Sequence, residues 1–222
     1  MSQPRYSHSR AVEGFILPIP AAISWPFGLT SKSDMSGDSF DFDVHAEKTK
    51  AAQSVVAALS VANSRIVLAE SCTGGGISAS LCEIPGVSDY LCGGFVVYRN
   101  ASKETWLGVA AELLNDPKVG PVSASASRSI SQAALEKTPE ANWALGITGD
   151  VGPGASNDTD GRAFVCIMAR DKPTVFDFEL ETAHHYTHRC TAEEAMQIRS
   201  LRLNDFSVQA LALAAQVISG HS

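Results

Sequence analysis

Hydrophobic and polar positions follow two different periods along this chain, and the two periods predict alternating helices and strands. From Ala52 to Ala62 the apolar residues recur at the spacing of one helix face. Short apolar runs bounded by polar residues predict strands over 65–69, 93–99, 143–148, 163–169 and 175–180. Helices are expected over 75–84, 103–107, 123–137 and 191–218.

The order of these elements predicts the fold class. Strands that alternate with helices favour an α/β layered sandwich, with a central mixed, mostly parallel sheet flanked by helices. Over 175–180, Phe176, Phe178 and Leu180 alternate with acidic residues, so one face of this strand is expected to contact water. Ligands of open α/β sheets bind beyond the carboxyl ends of the strands, which directs attention to the loops that follow them.

The first 44 residues lack this periodicity and are expected to form a poorly ordered tail ahead of a domain over 45–222. Their prolines and serines bury too little apolar surface to offset the entropy of ordering. The prolines also interrupt the apolar run, which argues against a secretory signal. Arg5 and Arg10 precede the first acidic residue, Glu13, so import into an organelle is the alternative to a cytoplasmic location.

Composition narrows the class of protein. The chain has 222 residues, a hydrophobic content of 45% and a formal net charge of −7. The hydrophobic content suffices for a globular core. The negative charge argues against a nucleic-acid partner, and the short apolar runs argue against a membrane helix. The 5 cysteines include no C-x-x-C pair, which predicts neither a disulfide framework nor structural zinc and favours a reducing compartment.

The turn after the first predicted strand is the leading candidate for chemistry. Residues 69–76 have the sequence AESCTGGG and connect that strand to the next helix. Unpaired backbone N–H groups at a helix start favour negative charge. Ser71 in such a turn can be a nucleophile with an oxyanion hole beside it. The alternative is a tight turn whose hydroxyl groups only cap the helix.

Three further clusters could take part in chemistry. Tyr98 ends a strand and Lys103 follows shortly after, and a buried lysine can act as the base for a serine, with a tyrosine hydroxyl to orient it. Residues 147–154 form a second glycine loop whose N–H groups and Thr148 can hold a phosphate or a carbonyl group. His184 and His188 have the spacing of one helix face, but no acidic residue completes a metalloprotease motif, and we expect no metal.

Together these motifs resemble the CinA C-terminal domain family (competence/damage-inducible protein), whose stand-alone enzymes are nicotinamide-nucleotide amidases, also called NMN deamidases. The resemblance runs from about residue 46 to residue 219. It is carried by AESCTGG at 69–75, PGVS at 85–88, GGFVVYRN at 93–100, Lys103, LGV at 107–109, VS at 122–123 and T-G-x-x-G-P-G at 148–154.

The resemblance implies hydrolysis of nicotinamide mononucleotide (NMN) to nicotinate mononucleotide and ammonia, with no metal and no other cofactor. It implies that Ser71 is the nucleophile, Lys103 the general base and Tyr98 the partner of that base. It also implies a small-molecule nucleotide as the ligand and a homo-oligomer, a dimer or larger. The substrate contacts that it implies are Glu70, Thr73, Gly74, Gly75, Asn100, Thr148 and Gly149.

The chain departs from the family pattern in places that leave alternatives open. Residues 157–162 replace the usual Glu-Lys-Pro-Val-Gly-like run, and both Arg199 and Arg202 compete to meet the substrate phosphate. One alternative is a nucleotide-binding relative that has lost catalysis, and another is an amidase for a different amide-bearing nucleotide. A thiol mechanism through Cys72 is a third possibility, although we expect Cys72 to point into the core.

Overall fold

A computed structural model describes residues 37–156, 158–171, 174–186 and 190–221 of the chain. Residues 1–36 of the predicted tail lie outside the described residues. The first helix, α1, begins at Gly37, ahead of the predicted boundary between tail and domain. A helix that is already nucleated gains one hydrogen bond for each residue it adds, so it can extend beyond its apolar stripe.

The described residues form six α-helices and five strands. The helices are α1 (Gly37–Val61), α2 (Gly76–Cys82), α3 (Asn100–Ser102), α4 (Ala111–Asn115), α5 (Ala124–Lys137) and α6 (Ala192–Gly220). A 3₁₀ turn covers Val87–Asp89 and a π turn covers Lys103–Leu107. The strands are β1 (Ile66–Glu70), β2 (Leu91–Val96), β3 (Trp143–Asp150), β4 (Arg162–Ala169) and β5 (Val175–Glu181).

The five strands form one mixed sheet in the order β2-β1-β3-β4-β5. β1 is parallel to both β2 and β3, while β4 is antiparallel to β3 and to β5. β4 alone among these five strands therefore runs in the opposite direction, which confirms the predicted mixed, mostly parallel sheet. The carboxyl ends of β2, β1 and β3 consequently meet at one edge.

Helices cover both faces of the sheet and give the predicted layered sandwich. α1, α2 and α6 bury one face over side chains such as Leu68, Leu145 and Val165. α5 covers the opposite face, where Ile130 and Ala134 pack against the strands. β1 is buried along its full length, as expected for a strand covered on both sides. No helix among the described residues is long and apolar enough to span a membrane.

Caps explain where two of the helices begin. Ser123 accepts a hydrogen bond from the N–H of Ala126 at 3.1 Å and so caps the start of α5. Thr191 and Glu194 form a reciprocal capping box at the start of α6. At α3, Arg99 holds the cap position without a side-chain hydrogen bond, and Asn100 is the first helical residue.

Candidate active site

The carboxyl ends of β1, β2 and β3 surround a cavity of about 220 Å³. The sequence placed its candidate residues in the loops that follow these strands, and the structure brings many of them together. Seven predicted site residues line this cavity: Ser71, Tyr98, Asn100, Lys103, Thr148, Gly149 and Arg199. The remaining predicted site residues, Glu70, Thr73, Gly74, Gly75 and Arg202, are not among its lining residues.

Glu70 organises the turn that carries Ser71 from within the protein interior. Its side chain is completely buried, and Oε2 accepts hydrogen bonds from the Thr73 hydroxyl at 2.7 Å, the Gly75 N–H at 3.1 Å and the Ile77 N–H at 3.0 Å. Oε1 accepts from the N–H and the hydroxyl of Ser78 at 2.8 and 2.6 Å. The carboxylate thus satisfies donors at the start of α2 that would otherwise be unpaired.

Thr73, Gly74 and Gly75, which the resemblance implied as substrate contacts, make hydrogen bonds within the turn. The Thr73 hydroxyl and the Gly75 N–H both donate to Glu70, while the Gly74 N–H donates to the Ser71 carbonyl at 3.2 Å. Gly74 and Gly75 have φ of 62° and 99°, so the turn uses the left-handed region that glycine tolerates. In this structure these groups hold the turn together.

Ser71 lies at the end of β1 with 6% of its surface exposed, at the cavity wall. Its own N–H donates to the carbonyl of Ile147 at 3.0 Å, which continues the pairing of β1 with β3 by one residue. The backbone at Ser71 is therefore fixed by the sheet on one side and by the Glu70 turn on the other. A fixed backbone is what a positioned nucleophile requires.

Lys103 is a buried amine beside the same cavity. Only 2% of its surface is exposed, and its Nζ donates to the carbonyl oxygen of Tyr98 at 3.4 Å. Burial lowers the pKa of this amine, and the nearby Cys72 opposes that effect. Lys103 begins the π turn that ends before Gly108, and turns of this kind often occur at functional sites. A neutral lysine can accept a proton from a hydroxyl group.

Tyr98 contacts Lys103 through its backbone and not through its hydroxyl. The hydroxyl accepts a hydrogen bond from Nη2 of Arg199 at 2.6 Å, and 55% of the Tyr98 surface is exposed. In this structure the Tyr98 hydroxyl therefore does not orient Lys103. Nη1 of Arg199 donates to the carbonyl of Gly152, so this arginine connects the ends of β2 and β3 across the cavity.

The structure separates the two arginines that the sequence left as alternatives. Arg199 lines the cavity, whereas Arg202 is fully buried away from it. Arg202 donates to both carboxylate oxygens of Asp160 at 2.6 and 3.0 Å, and its Nε donates to the His184 carbonyl at 2.7 Å. Its guanidinium also lies over the ring of Tyr186, 4.3 Å from the centroid. Arg202 anchors a loop, and Arg199 is the arginine at the cavity.

Thr148 and Gly149 form the β3 wall of the cavity. The Thr148 hydroxyl donates to the carbonyl of Pro121 at 2.6 Å, which ties β3 to the loop before α5. A Cβ at Gly149 would lie 2.7 Å from the Cβ of Ala163 and 2.7 Å from the carbonyl oxygen of Arg162. The glycine at 149 is therefore required by close packing against β4.

Cys72 both belongs to the hydrophobic core and lines the cavity. Burial raises the pKa of its thiol to about 12, and the charge of Glu70 adds to this effect. The expectation that Cys72 is buried in the core is confirmed. Since the thiolate is the nucleophilic form, such a pKa argues against a thiol mechanism.

Asp150, Pro121 and Val122 also line the cavity, and none of them was among the predicted site residues. Asp150 directly follows Gly149 in the glycine loop over 147–154, so its place in the sequence could have identified it as a site residue. Pro121 and Val122 lie far from every other site residue along the chain. Only the Val-Ser pair at 122–123 pointed to that loop.

The histidine cluster does not form a metal site in the described part of the chain. His184 and His185 lie in an irregular segment and not in a helix, and His188 lies outside the described residues. Burial lowers the pKa of His184. No group of three histidine, cysteine, aspartate or glutamate side chains among the described residues could hold a metal ion.

Comparisons with known proteins agree with this fold. The model of the CinA C-terminal domain family matches residues 48–202. A CinA-like protein from Acidobacterium capsulatum is 31% identical over 153 residues, which cover 68% of this chain and 36% of that protein. A CinA-like protein from an Anaeromyxobacter species is 34% identical over 151 residues, covering 67% of this chain and 36% of that protein. The chain thus matches only about a third of the length of these relatives.

Solved structures resemble the chain over most of its length. The competence/damage inducible protein CihA from Agrobacterium tumefaciens is 28% identical with a TM-score of 0.61, covering 76% of this chain and 95% of that one. A CinA superfamily protein from Enterobacter cloacae is 21% identical with a TM-score of 0.64, covering 78% and 92%, and this match shows the fold alone. With the family model matching well over half of its residues, the chain belongs to the CinA C-terminal domain family.

Proposed function

We propose that this chain hydrolyses the carboxamide of a nicotinamide nucleotide, NMN foremost, to the carboxylate and ammonia. The observation that carries the proposal is that Ser71 and Lys103, which arrive from different strands, line one small cavity at the carboxyl edge of the sheet. The lowered pKa of Lys103 supports a role as a base, because a neutral amine can take the serine proton.

In the first half of the proposed reaction, the Ser71 hydroxyl attacks the amide carbon. Lys103 accepts the hydroxyl proton as the C–O bond forms, and the carbonyl becomes a tetrahedral oxyanion. When this intermediate collapses, Lys103 returns the proton to the amide nitrogen, which leaves as ammonia. The product of this half is an ester between Ser71 and the nicotinate group.

The oxyanion needs hydrogen-bond donors that the turn has not already used. The N–H groups of Gly74 and Gly75 are engaged within the turn. Those of Cys72 and Thr73 directly follow the nucleophile, donate to no oxygen among the described residues and point at the Cys72 sulfur, a weak acceptor that an oxyanion can displace. We assign these two N–H groups as the oxyanion donors, so Thr73 is the one of the implied contacts Thr73, Gly74 and Gly75 that takes this role.

In the second half, water hydrolyses the ester with Lys103 again as the base. Water loses a proton to Lys103 and attacks the acyl carbon, and the Ser71 alkoxide recovers that proton as the carboxylic acid leaves; the acid then loses its own proton to solvent and becomes nicotinate mononucleotide. Lys103 therefore ends the cycle in its neutral form. The proposed steps use residues of this chain and water.

The size of the cavity indicates which end of the nucleotide it takes. Pockets that enclose whole drug-sized ligands have volumes of about 300–1,000 Å³, whereas this cavity has about 220 Å³. It suits the ring and its carboxamide, with ribose and phosphate towards the opening. Arg199 is the cationic side chain at the cavity that can meet the phosphate. A homo-oligomeric state and a cytoplasmic location stay predictions.

The test is ammonia release from a panel of amide-bearing nucleotides, with calorimetry of NMN binding in parallel. The proposal expects ammonia from NMN with wild-type protein and none above background with Ser71→Ala. Binding of NMN without turnover would favour a relative that has lost catalysis. Turnover of another amide in the panel in place of NMN would assign a different substrate. Unchanged turnover in Ser71→Ala would contradict the mechanism.

A further inference from the structure

A carboxylate lies in the wall of the cavity beside the proposed catalytic pair. Asp150 ends β3, is half-buried and lines the cavity together with Ser71 and Lys103. Its Oδ1 accepts a hydrogen bond from the Gly152 N–H at 3.2 Å, and its Oδ2 accepts from the Thr159 hydroxyl at 3.2 Å. Each carboxylate oxygen can accept about two hydrogen bonds, so both retain capacity for a ligand.

The loop that follows holds Asp150 in place. The Asp150 carbonyl accepts a hydrogen bond from the Gly161 N–H at 3.0 Å, next to Asp160. Asp160 in turn forms a two-pronged ion pair with Arg202 of α6. This loop is the segment in which the sequence departs from the family pattern, and here its residues fix the cavity carboxylate.

Three side chains that can carry a charge line the cavity: Arg199, Lys103 and Asp150. Arg199 contributes a positive charge, and it already donates to Tyr98 and to the Gly152 carbonyl. Lys103 is the other basic side chain at the cavity, and burial lowers its pKa. Asp150 adds a negative charge that serves no step of the proposed hydrolysis. A small cavity whose carboxylate has no cationic partner among the described residues favours a ligand whose inserted part is positively charged.

We propose that Asp150 is a specificity-determining residue that selects the positively charged pyridinium ring of oxidised nicotinamide nucleotides over the neutral dihydro ring. The inference rests on the proposed function, because it takes the ring to lie in the cavity with its carboxamide at Ser71. In a cavity of this size the ring then lies close to the carboxylate, within the range of about 4–6 Å where opposite charges interact strongly.

The experiment compares NMN with dihydronicotinamide mononucleotide, which carries the same carboxamide, ribose and phosphate but has an uncharged ring. Calorimetry measures the Kd of both ligands for Ser71→Ala, in which turnover is blocked, and for Ser71→Ala/Asp150→Asn. Asparagine keeps an oxygen for the Gly152 N–H, and the Thr159 hydroxyl can reverse to accept from the new amide, so the loop should persist. Ser71→Ala/Asp158→Asn is the matched control, because Asp158 is an exposed acid of the same loop.

The expected result is that Ser71→Ala binds NMN about tenfold more tightly than the dihydro nucleotide, which corresponds to about 1.4 kcal/mol. This ratio should fall towards one with Asp150→Asn and stay unchanged with Asp158→Asn. An equal ratio with and without Asp150, or no binding of either nucleotide, overturns the inference. Ammonia release by the wild-type protein is measured separately. Its absence with the binding ratio intact would refute the hydrolysis and leave the ring preference standing.

Discussion

Glu70→Gln tests whether the buried carboxylate holds the nucleophile turn. Five hydrogen bonds converge on its two oxygens. Glutamine fits best with its amide NH₂ in the place of Oε1, because the Ser78 hydroxyl can rotate and accept a hydrogen bond from this NH₂. The Ser78 N–H then faces another donor. One unsatisfied buried donor costs about 1–3 kcal/mol, and loss of the charge weakens the remaining bonds. We expect the free energy of unfolding to fall by about 3 kcal/mol in total.

Urea denaturation of Glu70→Gln measures this loss, with Glu140→Gln as the control because Glu140 is exposed. Ammonia release adds a second measurement. Ser71 directly follows Glu70, so a shifted turn should lower kcat by up to about a hundredfold in the fraction that stays folded, with less effect on KM. A loss of stability below about 0.5 kcal/mol, which is typical of surface substitutions, would refute the idea that this carboxylate organises the turn.

The site supports five further predictions. Lys103→Ala should abolish ammonia release while the protein stays folded, as judged by circular dichroism. Because burial lowers the pKa of Lys103, kcat/KM should rise with pH through a midpoint below the ordinary value of 10.5. The unfolded state binds more protons between these two pKa values, so wild-type stability should rise with pH there and this rise should vanish in Lys103→Met. Cys72→Ser should retain turnover, and its complete loss would restore the thiol mechanism. Gly149→Ala should cost at least about 1–3 kcal/mol in urea denaturation, because its Cβ would overlap Ala163.

The sequence predicted the elements well because their patterns are local. The apolar run of β1 and the glycine turn after it are contiguous in the sequence, so a short window of residues suffices to predict the strand and where it ends. The placement of Ser71 and Lys103 in one cavity was predicted from family resemblance, and the structure agrees. The roles within the turn were harder to predict. The donors that converge on Glu70 are mostly backbone N–H groups, and a sequence does not show where those groups point.

The choice between Arg199 and Arg202 could not be made from the sequence either. The two residues are three positions apart on α6, so they share one side of the helix. Their fates differ because Asp160, from a distant loop, pairs with Arg202 and draws it out of contact with solvent. That partner belongs to the segment in which the chain departs from the family pattern. No local feature of the α6 sequence indicates that Arg202, and not Arg199, pairs with Asp160.

The topology of the sheet explains why the proposed nucleophile and base meet. The chain leaves β1 through α2, which packs with α1 and α6 on one face. It leaves the neighbouring β2 through the π turn, whose Leu107 packs on the opposite face. Loops that diverge in this way from adjacent parallel strands open a crevice between them. Ser71 stands in one loop and Lys103 in the other, so their approach depends on the pairing of β1 with β2 and not on any single motif.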